Sequence, residues 1–211
     1  MLPLRQLLIY KAAGWSGFFV MGVELLGGRL LAPFFGNSIF VWGGVIAVFM
    51  ACLSVGYLLG GRLSLQQPSL TQLGLLLLGE ALLALPIILL GDTVLEGLSE
   101  VVPDPRYGSL LGSLLLFGAP TVFSGMISPY AVRLLIVALD SSGLAAGRLY
   151  FVSTLGSAAG TLITSFYLVL YLEIHTILLC LMAISASIGL ALMVLDRLPA
   201  HKLQRLQRPA R

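Results

Sequence analysis

The sequence predicts an all-α integral membrane protein with six transmembrane helices. Hydrophobic residues make up 58% of its 211 residues and charged residues only 10%, whereas about a quarter of a soluble domain is charged. The mean hydropathy is +1.02. Six apolar runs account for this composition, and each is long enough for a helix to cross a bilayer, which takes about 20 residues. They lie at residues 12–33, 39–60, 70–90, 108–132, 147–171 and 174–195.

The distribution of charge predicts the orientation of these helices. Ten of the twelve Lys and Arg residues fall on one side of the predicted membrane: Arg5, Lys11, Arg62, Arg133, Arg148, Arg197, Lys202, Arg205, Arg208 and Arg211. By the positive-inside rule this side is cytoplasmic, and so are both termini. The other side carries one Arg and an acidic loop: Arg106, Asp92, Glu96, Glu100 and Asp104.

This orientation divides the chain into two parts. We expect a six-helix transmembrane domain over residues 1–196 and a basic cytoplasmic tail over residues 197–211. The tail would lie along the anionic inner leaflet of the bilayer. Nucleic-acid binding is a poor alternative, because the tail lacks interleaved aromatic residues and any folded basic domain.

Small residues and a repeated hexapeptide mark the first two helices. Leu-Leu-Gly-Gly-Arg-Leu occurs at 25–30 and again at 58–63. Paired glycines near a helix end let a neighbouring backbone approach closely, although chance repetition in a Leu- and Gly-rich chain is the alternative. The first copy ends the outward helix and the second ends the returning helix, so the copies lie on opposite faces. Steps of three and four residues align Gly14, Gly17, Glu24 and Gly28 on the first helix.

Prolines predict interruptions in the third and fourth helices. Pro86 should kink the third helix, and Pro120 and Pro129 should bend the fourth, because each proline removes one backbone hydrogen bond. We expect the fourth helix to break into a spanning part and a short inner-surface part over residues 130–139.

Most of the residues around the middle of the fifth helix are small or carry a hydroxyl group. The residues concerned are Ser153, Thr154, Gly156, Ser157, Gly160, Thr161, Thr164 and Ser165. Small residues favour close helix contacts in membranes, so protein rather than lipid should surround this helix. Its hydroxyl groups either line a polar path or bond to the carbonyl groups of their own helix.

The sixth apolar run completes two groups of three helices. The first helix runs outward and the fourth runs inward, so the two groups have inverted topology. Two inverted three-helix repeats would resemble one half of a major facilitator transporter. Any six-helix chain divides this way, so topology alone does not distinguish such a repeat from a simple bundle.

Two carboxylates near the middle of apolar runs are the strongest functional signal. An ionisable group such as Asp at mid-helix costs about 2.5–3.5 kcal/mol on insertion scales, so burial of Glu24 and Glu80 requires compensation. Counting from the predicted helix starts places both at a similar depth of roughly 15–18 Å. Arg29 lies about 140° around the helix from Glu24, which is poor geometry for a pair within one helix.

Two interpretations of these acids are open. In one, they hold an ammonium group between them and form a cation or polyamine site. In the other, one or both are protonated, which burial favours, or paired with an Arg. The predicted ligand-binding residues are Glu24, Glu80, Arg29, Tyr57, Tyr150 and Ser157. No metal site is expected, because the two Cys and two His residues lack the spacing of metal ligands.

Four ordered motifs run through most of the chain. They are residues 24–38 with Trp42, residues 56–63, residues 128–134, and residues 147–161 with their continuation to 168. These motifs resemble the membrane region of spermidine-synthase-like integral membrane proteins, and the resemblance covers about residues 17–176. One departure concerns residues 64–67, where Ser-Leu-Gln-Gln replaces the usual Ala-Asp and basic residues. This replacement weakens the analogy with the gating loop of a facilitator.

The resemblance implies a multi-pass protein of the bacterial inner (plasma) membrane with a polyamine-like ligand. Family members often carry a cytoplasmic aminopropyltransferase-like domain after the helices. Only sixteen residues follow Leu195, and they hold no glycine-rich nucleotide-binding loop. We therefore expect no aminopropyltransferase activity, no catalytic residues and no cofactor in this chain.

The function predicted from the sequence is a transporter-like or ligand-binding membrane module for polyamines or related organic cations. Six helices match half of a facilitator, so a homodimer would supply a complete pathway. The alternative is a non-catalytic membrane subunit or scaffold. It would dock a separate soluble aminopropyltransferase-like enzyme on its cytoplasmic face, with Arg133 and Arg148 as the docking residues. A standalone membrane enzyme ranks third, because the sequence has no recognisable nucleophile–base pair, metal cluster or phosphate-binding loop.

Overall fold

The protein, a computed structural model, consists of six long helices within the residues that the structure describes, 4–136 and 142–197. In chain order they are α1 (Leu4–Phe35), α2 (Ile39–Leu63), α3 (Leu70–Val101), α4 (Pro105–Leu135), α5 (Ser142–Tyr171) and α6 (Ile174–Asp196). All six are long and apolar enough to cross a membrane. The prediction of an all-α membrane protein with six spans is confirmed.

The two ends of the bundle differ in charge. The start of α3 lies beside the end of α6, where Thr71 donates a hydrogen bond from Oγ1 to Asp196 Oδ2 at 2.7 Å. We call this end the basic end, because it carries Lys11, Arg62, Arg133, Arg148 and Arg197. The opposite, acidic end carries Asp92, Glu96, Glu100, Asp104 and Arg106.

α3 is interrupted at Ala84, two residues before Pro86, as the proline predicts. A second helical segment, Leu85–Val101, follows at once and accommodates Pro86 in its first turn, where no backbone donor is needed. The acidic residues Asp92, Glu96 and Glu100 lie on this helical segment. The prediction that they belong to a loop is therefore wrong, because the helix extends well past the apolar run.

α4 is continuous, and the predicted break near Tyr130 is wrong. Tyr130 is fully buried. Its hydroxyl group accepts a hydrogen bond from the Ser69 N–H at 2.9 Å and donates one to Gln72 Oε1. These bonds hold the last turns of α4 against the start of α3, so this part cannot lie flat on the membrane. Residues 137–139 of the predicted surface segment lie outside the described residues.

The helices pack mainly in three pairs: α1 with α5, α2 with α4, and α3 with α6. Glycine backbones meet at each crossing, and in each pair a Cβ atom on at least one of the two glycines would overlap the backbone of the partner helix. Small residues of this kind are what allow helices to approach closely in a membrane. The contacting pairs are Gly14–Gly156, Gly56–Gly125 and Gly74–Gly189.

α5 is the least covered helix, contrary to the prediction that protein surrounds it. In its most apolar stretch 11% of the residues are buried, compared with 39–61% in the other five helices. Gly156 and Gly160 pack on α1, whereas Tyr150, Thr154 and Ala158 are exposed. The described chain therefore packs one side of α5, with Ser153, Gly156 and Gly160, against α1 and leaves the side with Thr154 and Ala158 exposed.

Gly156→Ala should destabilise the bundle, because its methyl group would overlap the backbone of Gly14, which cannot rotate away. Overpacking of this kind costs about 1–3 kcal/mol, so thermal unfolding in detergent should show a lower Tm. Gly147→Ala is the matched control in the same helix, since a Cβ atom there meets open space. Equal Tm values for the two variants would contradict the close α1–α5 crossing.

Candidate functional site

Glu80 is fully buried where four helices meet. Ser16 Oγ of α1 and Ser124 Oγ of α4 donate hydrogen bonds to its Oε2 at 3.2 and 2.6 Å. Ser185 Oγ of α6 donates to its Oε1. A carboxylate offers about four lone-pair positions to hydrogen-bond donors, so three hydroxyl groups satisfy most of them. The chain itself therefore supplies hydrogen-bond donors to both carboxylate oxygens of Glu80.

The Glu80 cluster separates two apolar cores. One core lies towards the basic end and contains residues such as Ile9 of α1 and Leu73 of α3. The other lies towards the acidic end and contains Val23 of α1 and Ile87 of α3. The cluster is thus a thin polar layer that crosses the centre of the bundle.

Two aromatic–Ser–Gly sequences position two of the three serines. They are residues 15–17 of α1 (Trp-Ser-Gly) and residues 123–125 of α4 (Phe-Ser-Gly). The glycine of the first packs against the α5 backbone, and the glycine of the second packs against the α2 backbone. Successive helical residues point about 100° apart, so the serine before each glycine faces a different neighbour, Glu80.

Glu24 is also buried, with an exposed fraction of 6%, but its environment differs. Its Oε2 is buried and has no hydrogen-bond partner among the described residues. Gly17, Glu24 and Gly28 share one stripe of α1, because they are seven and four residues apart. Gly17 packs against Ser157 of α5, and Gly28 packs against Trp42 of α2. Glu24 therefore faces the region between α2 and α5.

The two acids lie at different heights, so the prediction of a similar depth is wrong. Ser16 binds Glu80 and precedes Glu24 by eight residues, which corresponds to about 12 Å along the helix axis. α1 begins at Leu4, so counting from residue 12 puts Glu24 too close to the basic end. A single ammonium group cannot bridge the two carboxylates, since each charge-assisted bond spans only about 2.7–2.9 Å.

Arg29 is exposed and does not pair with Glu24. Within the described residues, the ion pair present joins Arg106 to Asp104, at 3.8 Å, at the acidic end. In that part of the chain no Lys, Arg or His lies within ion-pair distance of either buried acid.

Tyr57 and Tyr150 are both exposed, on α2 and α5. Tyr57 follows Gly56, which packs against Gly125 beside the Glu80 cluster, so Tyr57 lies near the height of Glu80 rather than of Glu24. Tyr150 is three residues closer to the basic end than Ser153, which packs against Gly17. From these helix positions, Tyr150 lies about 15 Å closer to the basic end than Glu24, measured along the helix axis. The two tyrosines are therefore not part of the immediate surroundings of Glu24.

The hydroxyl groups of α5 bond mainly to their own helix. Ser157 Oγ donates to the Ser153 carbonyl at 3.2 Å, and Thr161 Oγ1 donates to the Ser157 carbonyl at 3.0 Å. Ser165 Oγ donates to the Thr161 carbonyl in the same way. This geometry favours backbone bonding over a polar path for these three residues. Thr164 differs, because its buried Oγ1 has no partner among the described residues.

Arg133 and Arg148, the predicted docking residues, are exposed near the basic end. Arg133 lies in the last turn of α4, and Arg148 lies in the second turn of α5. Both side chains are accessible on the same end of the bundle.

Sequence reasoning missed two members of the Glu80 cluster, Ser16 and Ser185. The third member, Ser124, lies between Pro120 and Pro129, the two prolines predicted to bend α4. The repeated aromatic–Ser–Gly sequence was a usable signal for Ser16. Ser185 offered no local signal, because its role depends on how α6 packs against α3.

No protein-family model matches the chain, and no curated protein or solved structure matches it either. The resemblance to spermidine-synthase-like membrane proteins therefore stays a prediction from the motifs.

Glu80→Ala should destabilise the fold, because three buried serine hydroxyl groups lose their acceptor. Ser124 and Ser185 retain backbone carbonyls as second acceptors, whereas Ser16 has none among the described residues. A buried polar group left unsatisfied costs about 1–3 kcal/mol, which should lower the Tm in detergent. Glu80→Gln should cost less, because the amide oxygen still accepts hydrogen bonds.

Glu173→Ala serves as the control for this series, because Glu173 is exposed just before α6. Surface substitutions usually change stability by less than about 0.5 kcal/mol. If Glu80→Ala unfolds at the same temperature as Glu173→Ala, the Glu80 cluster does not stabilise the bundle.

Proposed function

We propose that the protein is a transporter-like membrane module that binds an organic cation, of the polyamine class, at Glu24. The observation that carries this proposal is the buried Glu24 carboxylate, whose Oε2 has no hydrogen-bond partner among the described residues. Removing one partner of a buried charge pair is strongly unfavourable, so a buried carboxylate of this kind calls for a positive partner. A protonated amine supplies both the positive charge and the N–H donors.

The position of Glu24 supports a ligand that enters from the face between α2 and α5. Its stripe on α1 contacts α5 at Gly17 and α2 at Gly28, and α5 itself is largely uncovered. Glu80, by contrast, is enclosed and already holds three hydroxyl donors. We therefore assign ligand binding to Glu24 and a structural role to Glu80. The polyamine class comes from the motif resemblance.

The helix pairing supports an inverted repeat. An inverted repeat relates α1 to α4, α2 to α5 and α3 to α6. Under this exchange the α1–α5 pair becomes the α4–α2 pair, and the α3–α6 pair becomes itself. The three observed pairs are therefore those that such a repeat allows. An aromatic–Ser–Gly sequence occurs in both α1 and α4, the two helices that such a repeat relates, and both serines bind the same oxygen of Glu80. This is the relation expected between the two halves of a facilitator-like six-helix unit.

A second copy of the chain would complete such a transporter. Small residues in membrane helices serve close helix contacts, and those on the outer side of α5 have no such contact within the described chain. In the proposed homodimer, the α2–α5 faces of two copies enclose the cation pathway. The membrane is the bacterial inner membrane, with the basic end and both termini in the cytoplasm, as the positive-inside rule predicts.

Glu24→Gln should reduce saturable uptake of spermidine into proteoliposomes by at least about tenfold, because a charge-assisted hydrogen bond contributes about 1.5–3 kcal/mol. Glu173→Gln makes the same chemical change at an exposed position and should leave uptake unchanged. Equilibrium binding of spermidine to the purified protein separates loss of binding from loss of transport. Uptake by Glu24→Gln with an unaltered KM and maximal rate would rule the proposed site out.

A cysteine at Thr154, on the exposed side of α5, should crosslink two copies in native-like lipid. The background needs Cys52→Ala and Cys180→Ala, because both native cysteines are free thiols. Leu190→Cys on α6 is the control, since Leu190 is exposed but lies on a different helix. A chain that stays monomeric by mass in native-like lipid would exclude the homodimer.

The exposure of Arg133 and Arg148 favours the scaffold as the second candidate function. Two accessible guanidinium groups at one end suit the acidic surface of a soluble partner. Specific binding of a purified aminopropyltransferase-like enzyme to this end, without any cation uptake, would favour the scaffold over the transporter.

A further inference from the structure

A large cleft opens between α1, α5 and α6 at the basic end of the bundle. Its volume is about 990 Å³, at the upper end of the range of about 300–1,000 Å³ that ligand sites occupy. Its walls are mostly apolar and include Leu7, Trp15, Phe18, Leu144 and Phe151. This cleft lies apart from Glu24, which faces the region between α2 and α5 further towards the acidic end.

The glycines of α5 explain why the cleft exists. α1 and α5 touch at Gly14 and Gly156, where their backbones meet. Towards the basic end, Gly143 and Gly147 line the cleft, and a Cβ atom at either position would meet open space. No side chain from these two positions enters the space on the basic side of the crossing, which leaves the cleft open.

The residues that line the cleft and carry polar groups are few: Tyr10, Lys11, Trp15 and Arg148. Lys11 and Arg148 line it from the two facing helices, and long basic side chains of this type extend towards the headgroup region. Trp15, whose ring stacks on Phe18, contributes an indole Nε1–H. This donor is buried and has no partner among the described residues. The cleft thus combines two basic side chains with an apolar wall.

We propose that this cleft binds one anionic phospholipid from the leaflet at the basic end. The phosphate group lies between Lys11 and Arg148, and the acyl chains lie along the apolar wall. The wall extends from Leu7 to Phe18 of α1, which is about 16 Å and close to half of the roughly 30 Å hydrocarbon core. Basic pockets between helices at a membrane surface bind the headgroups of anionic lipids. This site does not depend on the proposed transport function.

Native mass spectrometry of the purified protein, titrated with phosphatidylglycerol or phosphatidylcholine, tests the proposal. Phosphatidylglycerol should bind more tightly, and the double variant Lys11→Gln/Arg148→Gln should bind it about 30-fold more weakly, since each basic residue contributes about a fivefold factor. Binding of phosphatidylcholine should change little in this variant. Equal affinities of the wild type for the two lipids would overturn the proposal.

Gly147→Leu provides a second test, because its side chain enters the open cleft without meeting another atom at Cβ. It should abolish tight binding of phosphatidylglycerol while the Tm stays near that of the wild type. Gly43→Leu is the matched control on the exposed side of α2, where a Cβ atom also meets open space. Full lipid binding by Gly147→Leu would refute the site. A changed monomer–dimer ratio of Gly147→Leu with unaltered lipid binding would also refute the site, because the cleft would then be a contact between two copies of the chain.

Discussion

The hydrogen bonds to Glu80 connect all three helix pairs of the bundle. Glu80 and Ser185 belong to the α3–α6 pair, Ser16 belongs to α1–α5, and Ser124 belongs to α2–α4. In a membrane the apolar surfaces of the pairs gain little by leaving lipid for protein, so apolar burial alone does not fix how the pairs are arranged. A carboxylate with three directed hydroxyl donors does fix it, because any other arrangement leaves a charged or polar group unsatisfied in an apolar medium.

The glycine crossings and the polar layer depend on each other. A hydroxyl group reaches a carboxylate at hydrogen-bond distance only if the helix backbones are close, because the serine side chain is short. Gly74 and Gly189 provide that proximity between α3 and α6, where Ser185 binds Glu80. Gly17 and Gly125, each next to a serine of the cluster, hold α1 against α5 and α4 against α2. The glycine crossings therefore form the three helix pairs, and the hydrogen bonds to Glu80 join the pairs to one another.

Hydropathy was sufficient to predict the six helices, because a helix must satisfy its own backbone in lipid. Positions within the helices were harder to predict. α1 begins eight residues before its apolar run, so a depth counted from that run misplaced Glu24 relative to Glu80. Pro129 did not break α4, since hydrogen bonds from Tyr130 to α3 hold that turn in place. Ser185 needed the packing of α6 on α3, which no local pattern in the sequence contains.

We assign different roles to the two buried acids because their hydrogen-bond partners differ. Glu80 is enclosed, and most of its acceptor positions are used within the chain, so binding a ligand there would require breaking bonds that join the helix pairs. Glu24 is also buried, on the stripe of α1 that faces the region between α2 and α5, but its Oε2 has no hydrogen-bond partner among the described residues. A cation can bind Glu24 without disturbing the hydrogen bonds to Glu80. In the proposed function, the hydrogen bonds at Glu80 would hold the bundle together while a ligand binds at Glu24, about 12 Å away along α1.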